Sequence, residues 1–113
     1  MNIEKIKSQM RKGILEYCVL LILKDKEAYA SDIINILQET HLIVVEGTLY
    51  PLLTRLKNDN LLVYRWVESV QGPPRKYYRL TDEGKIFLLE LENGWGEISG
   101  TVEKLKVRNF KNS

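Results

Sequence analysis

Two short runs of side chains hold most of the donors that could do chemistry in this chain. Thr48, Tyr50, Thr54 and Arg55 form the first, and Arg75 with Lys76, placed directly after Gly72, Pro73 and Pro74, form the second. Hydroxyls, a guanidinium and an ammonium offer hydrogen bonds and positive charge, which suits recognition of anionic oxygens and polar base edges rather than bond cleavage. The sequence holds one His, one Cys, no glycine-rich phosphate loop after a strand, and no His, Cys or carboxylate cluster at metal-ligand spacing. No catalytic residue, metal or cofactor is therefore expected, and the chain does not read as an enzyme. His41 reads as a residue of a helix C-terminal cap region that interacts with the helix dipole, not as a ligand.

These groups belong to a chain of 113 residues with 44% hydrophobic content, enough for one compact domain. Lys and Arg number 17 against 15 acidic residues, for a net charge of +2, so attraction to a polyanion has to come from where the charges lie. Cys18, inside CVLLIL, excludes an intramolecular disulfide and reads as a buried thiol in a reducing, cytoplasmic compartment. The N-terminal MNIEKIKSQMRKG alternates in charge and lacks a small-residue cleavage site, so no signal peptide is expected. The longest apolar stretch, Ile14 to Leu23, includes Glu16 and falls well short of the roughly 20 residues of a membrane span.

Periodicity assigns the elements that must position the donors. Ile3, Ile6, Met10, Ile14, Tyr17 and Leu21 predict a first helix from about Ile3 to Lys24, buried in its C-terminal half. Ser31 as N-cap and Asp32 in the first turn open a short second helix that ends at His41. In EGTLYPLLTRLKNDN, Leu49, Leu52, Leu53 and Leu56 make the apolar stripe of a third helix. Pro51 places its start near Glu46 to Thr48, and Asn58-Asp59-Asn60 supplies a left-handed cap.

Residues Leu62 to Val70 and Arg75 to Leu80 read as the strands of a hairpin about a Gly-Pro-Pro turn, with Arg75 and Lys76 at a stiff tip. Tyr78 and Leu80 fall on one face and Tyr77 and Arg79 on the other. Thr81 as N-cap, with Asp82 and Glu83 behind it, opens a last helix to about Arg108. Its Leu88, Leu91, Trp95, Ile98, Val102 and Leu105 alternate spacings of three and four, the two-position heptad stripe of a helix that pairs with another long helix.

Three helices, a hairpin and a long helix predict a mainly α fold with a small β-hairpin: a winged helix-turn-helix domain plus a C-terminal dimerisation helix. The third helix would enter the major groove of double-stranded DNA. Opposite its leucines lie Gly47, Pro51, Thr54 and Asn58, flanked by Thr48, Tyr50 and Arg55, a face that suits a groove and equally an ordinary solvated surface.

EGTLYPLLTRL (46 to 56) and GPPRKYYRLTDEGK (72 to 85) resemble, in order and spacing, the two signature segments of the PadR family of transcriptional regulators. The likeness runs from roughly Arg11 to Leu105, and the length resembles the short subfamily with a single C-terminal helix. It implies a homodimeric, DNA-binding repressor released by a small molecule. Residues 1–80 would form the DNA-binding domain, with 1–24 also in the dimer interface, and 81–113 the dimerisation helix. Candidate DNA contacts are Tyr29, Ser31, Gly47, Thr48, Tyr50, Thr54, Arg55, Arg75 and Lys76, on a palindromic operator. Candidates for an effector pocket or dimer interface are Trp95, Leu91, Ile98, Val102 and Leu88, with an aromatic or phenolic ligand.

Ala30, Val45 and Asn60 depart from residues frequent in the family, which affects caps and turns. Gly94, Gly96 and Gly100 surround Trp95 at a cost of about 1 kcal/mol each in a helix interior. They fit close helix approach, a cavity for a flat ligand, or a frayed helix. Two further function classes stand beside the regulator: a protein-interaction module that uses the heptad helix without an operator, and a small-molecule carrier without DNA binding.

Overall fold

A computed structural model describes the chain through residue 112, and its side chains through Arg108. The elements are α1 (Ile3–Ile22), β1 (Ala28–Tyr29), α2 (Ala30–Glu39), α3 (Glu46–Asn58), β2 (Leu62–Ser69), β3 (Gly72–Leu80) and α4 (Asp82–Asn112). Asn2 opens α1, its Oδ1 accepting from the backbone N–H of Glu4 at 3.0 Å and of Lys5 at 3.3 Å. Leu15, Val19 and Leu20 of α1 meet Ile33 and Leu37 of α2, the four α3 leucines and Leu88 of α4 in one aliphatic core, closed on the sheet side by Leu62, Tyr78 and Leu80. Each fully buried leucine contributes roughly 2 kcal/mol relative to exposure.

The turns that end α2 and α3 each use a left-handed non-glycine residue. His41 (φ 67°) follows α2 and Asn60 (φ 64°) follows α3. Leu42 N–H then reaches Leu37 O at 2.8 Å, and Leu61 N–H reaches Leu56 O at 3.0 Å, each closing the helix over an apolar pair. The expected cap of the third helix is therefore present, carried by Asn60.

Leu61 also ties α3 to α4. Its carbonyl accepts from Thr81 N–H at 3.1 Å, while Thr81 Oγ1 donates to Asn60 O at 2.7 Å and accepts from Gly84 N–H at 2.9 Å. Thr81 is thus the expected N-cap, and Gly84 is required by space, because a Cβ there would stand 2.1 Å from Leu61 O.

Several local expectations are corrected. The hairpin is part of a three-stranded antiparallel sheet of order β1-β3-β2, because Ala28 and Tyr29 pair with Tyr78 and Tyr77. The chain reverses at Val70 and Gln71, and Gly72–Pro74 already belong to β3, with Ser69 opposite Gly72. Prolines are tolerated there because β1 covers β3 only at Tyr77 and Tyr78, which leaves this stretch an edge. Arg75 and Lys76, opposite Val67 and Trp66, accordingly sit along the strand and not at the tip.

Helix α2 starts two residues early, with Tyr29 rather than Ser31 as N-cap, since the Asp32 carboxylate accepts from Tyr29 N–H at 3.0 Å and Ser31 falls in the first turn. Cys18 is half-buried rather than buried, although burial still raises its thiol pKa above the ordinary value. The last helix continues past Arg108 to Asn112, in a stretch without Gly or Pro to stop it.

Along α4 the environment changes. Leu88 is 2% exposed in the core, Leu91 is half-buried, and Trp95, Ile98, Val102 and Leu105 lie open to solvent. A helix of 31 residues rises about 46 Å, and its far half projects beyond the domain, in a molecule of 63 × 32 × 22 Å.

Candidate nucleic-acid interface

Helix α3 turns about 100° per residue, so burying Leu49, Leu52, Leu53 and Leu56 fixes where its polar groups point. Gly47, Pro51, Thr54 and Asn58 face away from the core, and all are exposed. With α3 beginning at Glu46, Pro51 lies in its second turn, and lacking an N–H it leaves the Gly47 carbonyl free on this outer face. A Cβ at Gly47 would meet nothing within 4 Å, so packing inside the chain does not demand glycine there.

The two flanks of α3 differ. Tyr50 and Thr54 line an open cleft of about 510 Å³ together with Tyr29, Ser31, Trp66, Arg75, Lys76 and Tyr78. The start of α2, the outer face of α3 and the wing strands β2 and β3 meet in this cleft, which holds two cations and, among the described residues, no carboxylate. Thr48 and Arg55 belong to the other flank. Thr48 shares a depression with Arg11 and Lys12 of α1, and Arg55 forms an ion pair with Glu16 through its Nη2. Of the nine expected contact residues, Tyr29, Ser31, Tyr50, Thr54, Arg75 and Lys76 line the cleft, Thr48 and Arg55 lie on the other flank, and Gly47 lies on the outer face between them. The spacing of Thr48 and Arg55 from Tyr50 contains this division, but their pairing with α1 is non-local.

The sheet holds its cations by aromatic contacts on both of its faces. Arg75 stacks on Tyr29, with Cζ 3.8 Å from the ring centroid, and donates from Nη2 to Ser31 Oγ at 2.6 Å. Tyr29 stacks on Tyr77 at 4.5 Å, and Arg65 lies over Tyr77 at 5.0 Å while donating to Glu27 Oε2 at 2.9 Å. On the inner face Lys76 Nζ sits 4.7 Å from the Tyr64 ring and 5.5 Å from Trp66. Burial, and next the nearby Tyr64 and Tyr50, raise the Tyr78 phenol pKa. Trp66, Tyr64 and Tyr78 were not expected at the site. The alternation Leu62, Tyr64, Trp66 along β2 is the signal that could have placed the first two there.

A separate apolar groove of about 430 Å³ runs between α1 and α4, lined by Met10, Gly13, Ile14, Tyr17, Leu91, Gly94, Trp95 and Ile98. Tyr17 and Trp95 face each other at 6.5 Å. Of the residues expected around an effector, Leu91, Trp95 and Ile98 meet here, Val102 lies further along the helix, and Leu88 instead belongs to the hydrophobic core. No group of described residues could hold a metal ion, and no described helix is long and apolar enough to cross a membrane.

Comparison with known proteins agrees with this fold. The profile of the transcriptional regulator PadR-like family matches residues 19–90. A PadR-like transcription factor from Bacteroides fragilis is 66% identical, with a TM-score of 0.76 over 89% of this chain and 98% of that one. A PadR family transcriptional regulator from Eggerthella lenta is 35% identical, with a TM-score of 0.84 over 91% and 90%. PadR of Bacillus subtilis in complex with operator DNA is 26% identical, with a TM-score of 0.65 over 69% of this chain and 46% of that one. The segments that line the cleft, the start of α2, α3 and the wing strands, all lie inside the matched residues. The chain belongs to the PadR-like family of transcriptional regulators.

Proposed function

We propose that this chain binds a palindromic operator as a homodimer and represses transcription until a small molecule releases it. The observation that carries the reading is the meeting of Ser31, Tyr50, Thr54, Arg75 and Lys76 in one cleft without a carboxylate. Hydroxyls and cations at a concave wall beside an exposed helix face match what a DNA backbone and groove require. Operator binding by the Bacillus subtilis relative supports it. In this reading residues 1–80 form the DNA-binding unit. Tyr50 and Thr54 reach base edges, Gly47 admits close backbone approach, and Ser31, Tyr29, Arg75 and Lys76 position phosphates. Thr48 and Arg55 act at the opposite edge of the groove. The protein works in the cytoplasm, with access to the chromosome, and catalyses no reaction.

The exposed stripe of α4 supports the dimer. Trp95, Ile98, Val102 and Leu105 are 44%, 61%, 46% and 52% exposed, and α1 adds Ile3 at 61% and Met10 at 67%. A contiguous apolar surface of this kind on a projecting helix calls for a partner. Residues 81–113 then form the dimerisation helix, joined by 1–24 of α1. The groove beside Tyr17 and Trp95 is wide enough for an aromatic or phenolic ligand, whose arrival would alter the spacing of the two wings.

The test selects duplexes from a random pool and compares Thr54→Val and Lys76→Ala with the wild type on the selected sequence. The reading expects a palindrome and at least about tenfold weaker binding for each variant. Unchanged affinity for both would remove the cleft from the interface.

A further inference from the structure

Trp66 is 61% exposed, although it pairs with Lys76 across the strands and meets Tyr64 edge-on at 5.8 Å. These contacts leave most of the indole open, on the wing face that looks across the cleft at Tyr50 and Thr54. An open tryptophan is costly in water and is common where an apolar body meets a partner. Its surroundings say which partner. Lys76 lies 5.5 Å from its ring, Arg75 lines the same cleft, and no described carboxylate does. Neither Arg75 nor Lys76 forms an ion pair among the described residues. A second copy of the chain, with a net charge of only +2, offers no excess of negative charge to match this wall, whereas a nucleic-acid backbone offers phosphate oxygens and apolar sugar faces side by side.

We infer that Trp66 is a further DNA-contacting residue, which lays its indole on a deoxyribose of the strand whose phosphate Lys76 holds. The inference rests on the operator-binding reading and adds a contact of different physics. Lys76 contributes a counterion-releasing contact, sensitive to salt. Trp66 contributes apolar area on a sugar, indifferent to salt and shared by all four nucleotides. Removing the indole therefore weakens specific and non-specific duplexes alike, and leaves the slope of log affinity against log salt where it was.

The chain has two tryptophans, so emission can be assigned with one substitution. Wild-type protein and Trp66→Phe are titrated with the duplex selected from a random pool, with retention checked by gel shift. Trp66→Ala is assayed across a salt series, its fold verified by circular dichroism. The expected result is an emission change in the wild type that is absent from Trp66→Phe, and affinity about tenfold weaker for Trp66→Ala at an unaltered salt slope. If the wild type retains DNA while its emission stays constant, or if Trp66→Phe shows the same change, the inference is overturned and the functional reading stands. A Trp66 signal that varies with protein concentration before DNA is added would assign the indole to a second copy and also overturn it. Failure of the wild type to retain any duplex would overturn both.

Discussion

The Arg75 guanidinium lies 3.8 Å from the centre of the Tyr29 ring while its Nη2 donates to Ser31 Oγ. A side chain of the wing is thereby fastened to the first turn of α2, and the wing takes up a defined position relative to α3. The contact extends through Tyr77 to Arg65 and Glu27, so β1, β2, β3 and α2 share one alternating stack of cations and rings. A cation on an aromatic face is worth about 0.5–2 kcal/mol, enough to order a small sheet edge.

Arg75→Ala is expected to loosen the wing as well as remove a charge. Amide hydrogen exchange of β3 would accelerate in the free protein, and operator affinity would fall by more than the roughly tenfold expected for Lys76→Ala. Arg75→Lys, which keeps the charge but loses the planar stack and fork, would restore only part. Unchanged exchange in Arg75→Ala would show that the stack is not what holds the wing.

Gly84→Ala tests the junction of α3 and α4. Its Cβ would stand 2.1 Å from Leu61 O, a backbone atom already engaged by Thr81 N–H. A loss of about 3 kcal/mol is expected, read as a lower urea midpoint at unchanged slope.

His41 and Asn60 both occupy the left-handed region that glycine adopts without strain. His41→Gly is expected to stabilise the fold by about 1 kcal/mol, seen as a higher urea midpoint, and Asn60→Gly by less, because asparagine tolerates that region better than histidine. Neither change is expected to alter operator affinity.

Alkaline pH is expected to weaken the fold through Tyr78 and Cys18. Burial raises both pKa values above those of the unfolded chain, and Tyr64 and Tyr50 raise that of Tyr78 further. The folded state thus favours the neutral forms. This contribution is complete below the unfolded pKa values and is lost as pH rises through the folded ones. Urea midpoints measured from pH 8 upward would fall for the wild type, and less steeply for Tyr78→Phe; identical curves would exclude the phenol.

Much of this fold could be read locally. Thr81 before Asp82 and Glu83 marks a helix start, the leucines of α3 mark a buried face, and Asn60 marks a left-handed cap; the structure bears out all three. Two residues of β1 are too few to show a period, so the third strand stayed hidden. Gly-Pro-Pro reads as a turn because proline fixes φ, yet that φ also fits an edge strand, and Val70-Gln71, where the chain reverses, carries no turn signature. The pairing of Arg55 with Glu16 and of Arg75 with Ser31 joins residues far apart in sequence, which periodicity cannot connect. The stripe of α4 is continuous in sequence, while in space it passes from core at Leu88 to solvent at Trp95, and only packing separates the two.

The central claim is that the cleft between α3 and the wing meets the DNA backbone through Lys76. The most direct measurement is the salt dependence of binding to the selected palindrome, for the wild type and for Lys76→Ala. In the proposed homodimer, in which Lys76 of each copy holds a phosphate, Lys76→Ala is predicted to make the slope of log affinity against log salt shallower by about 2. A slope identical in both proteins would contradict the account.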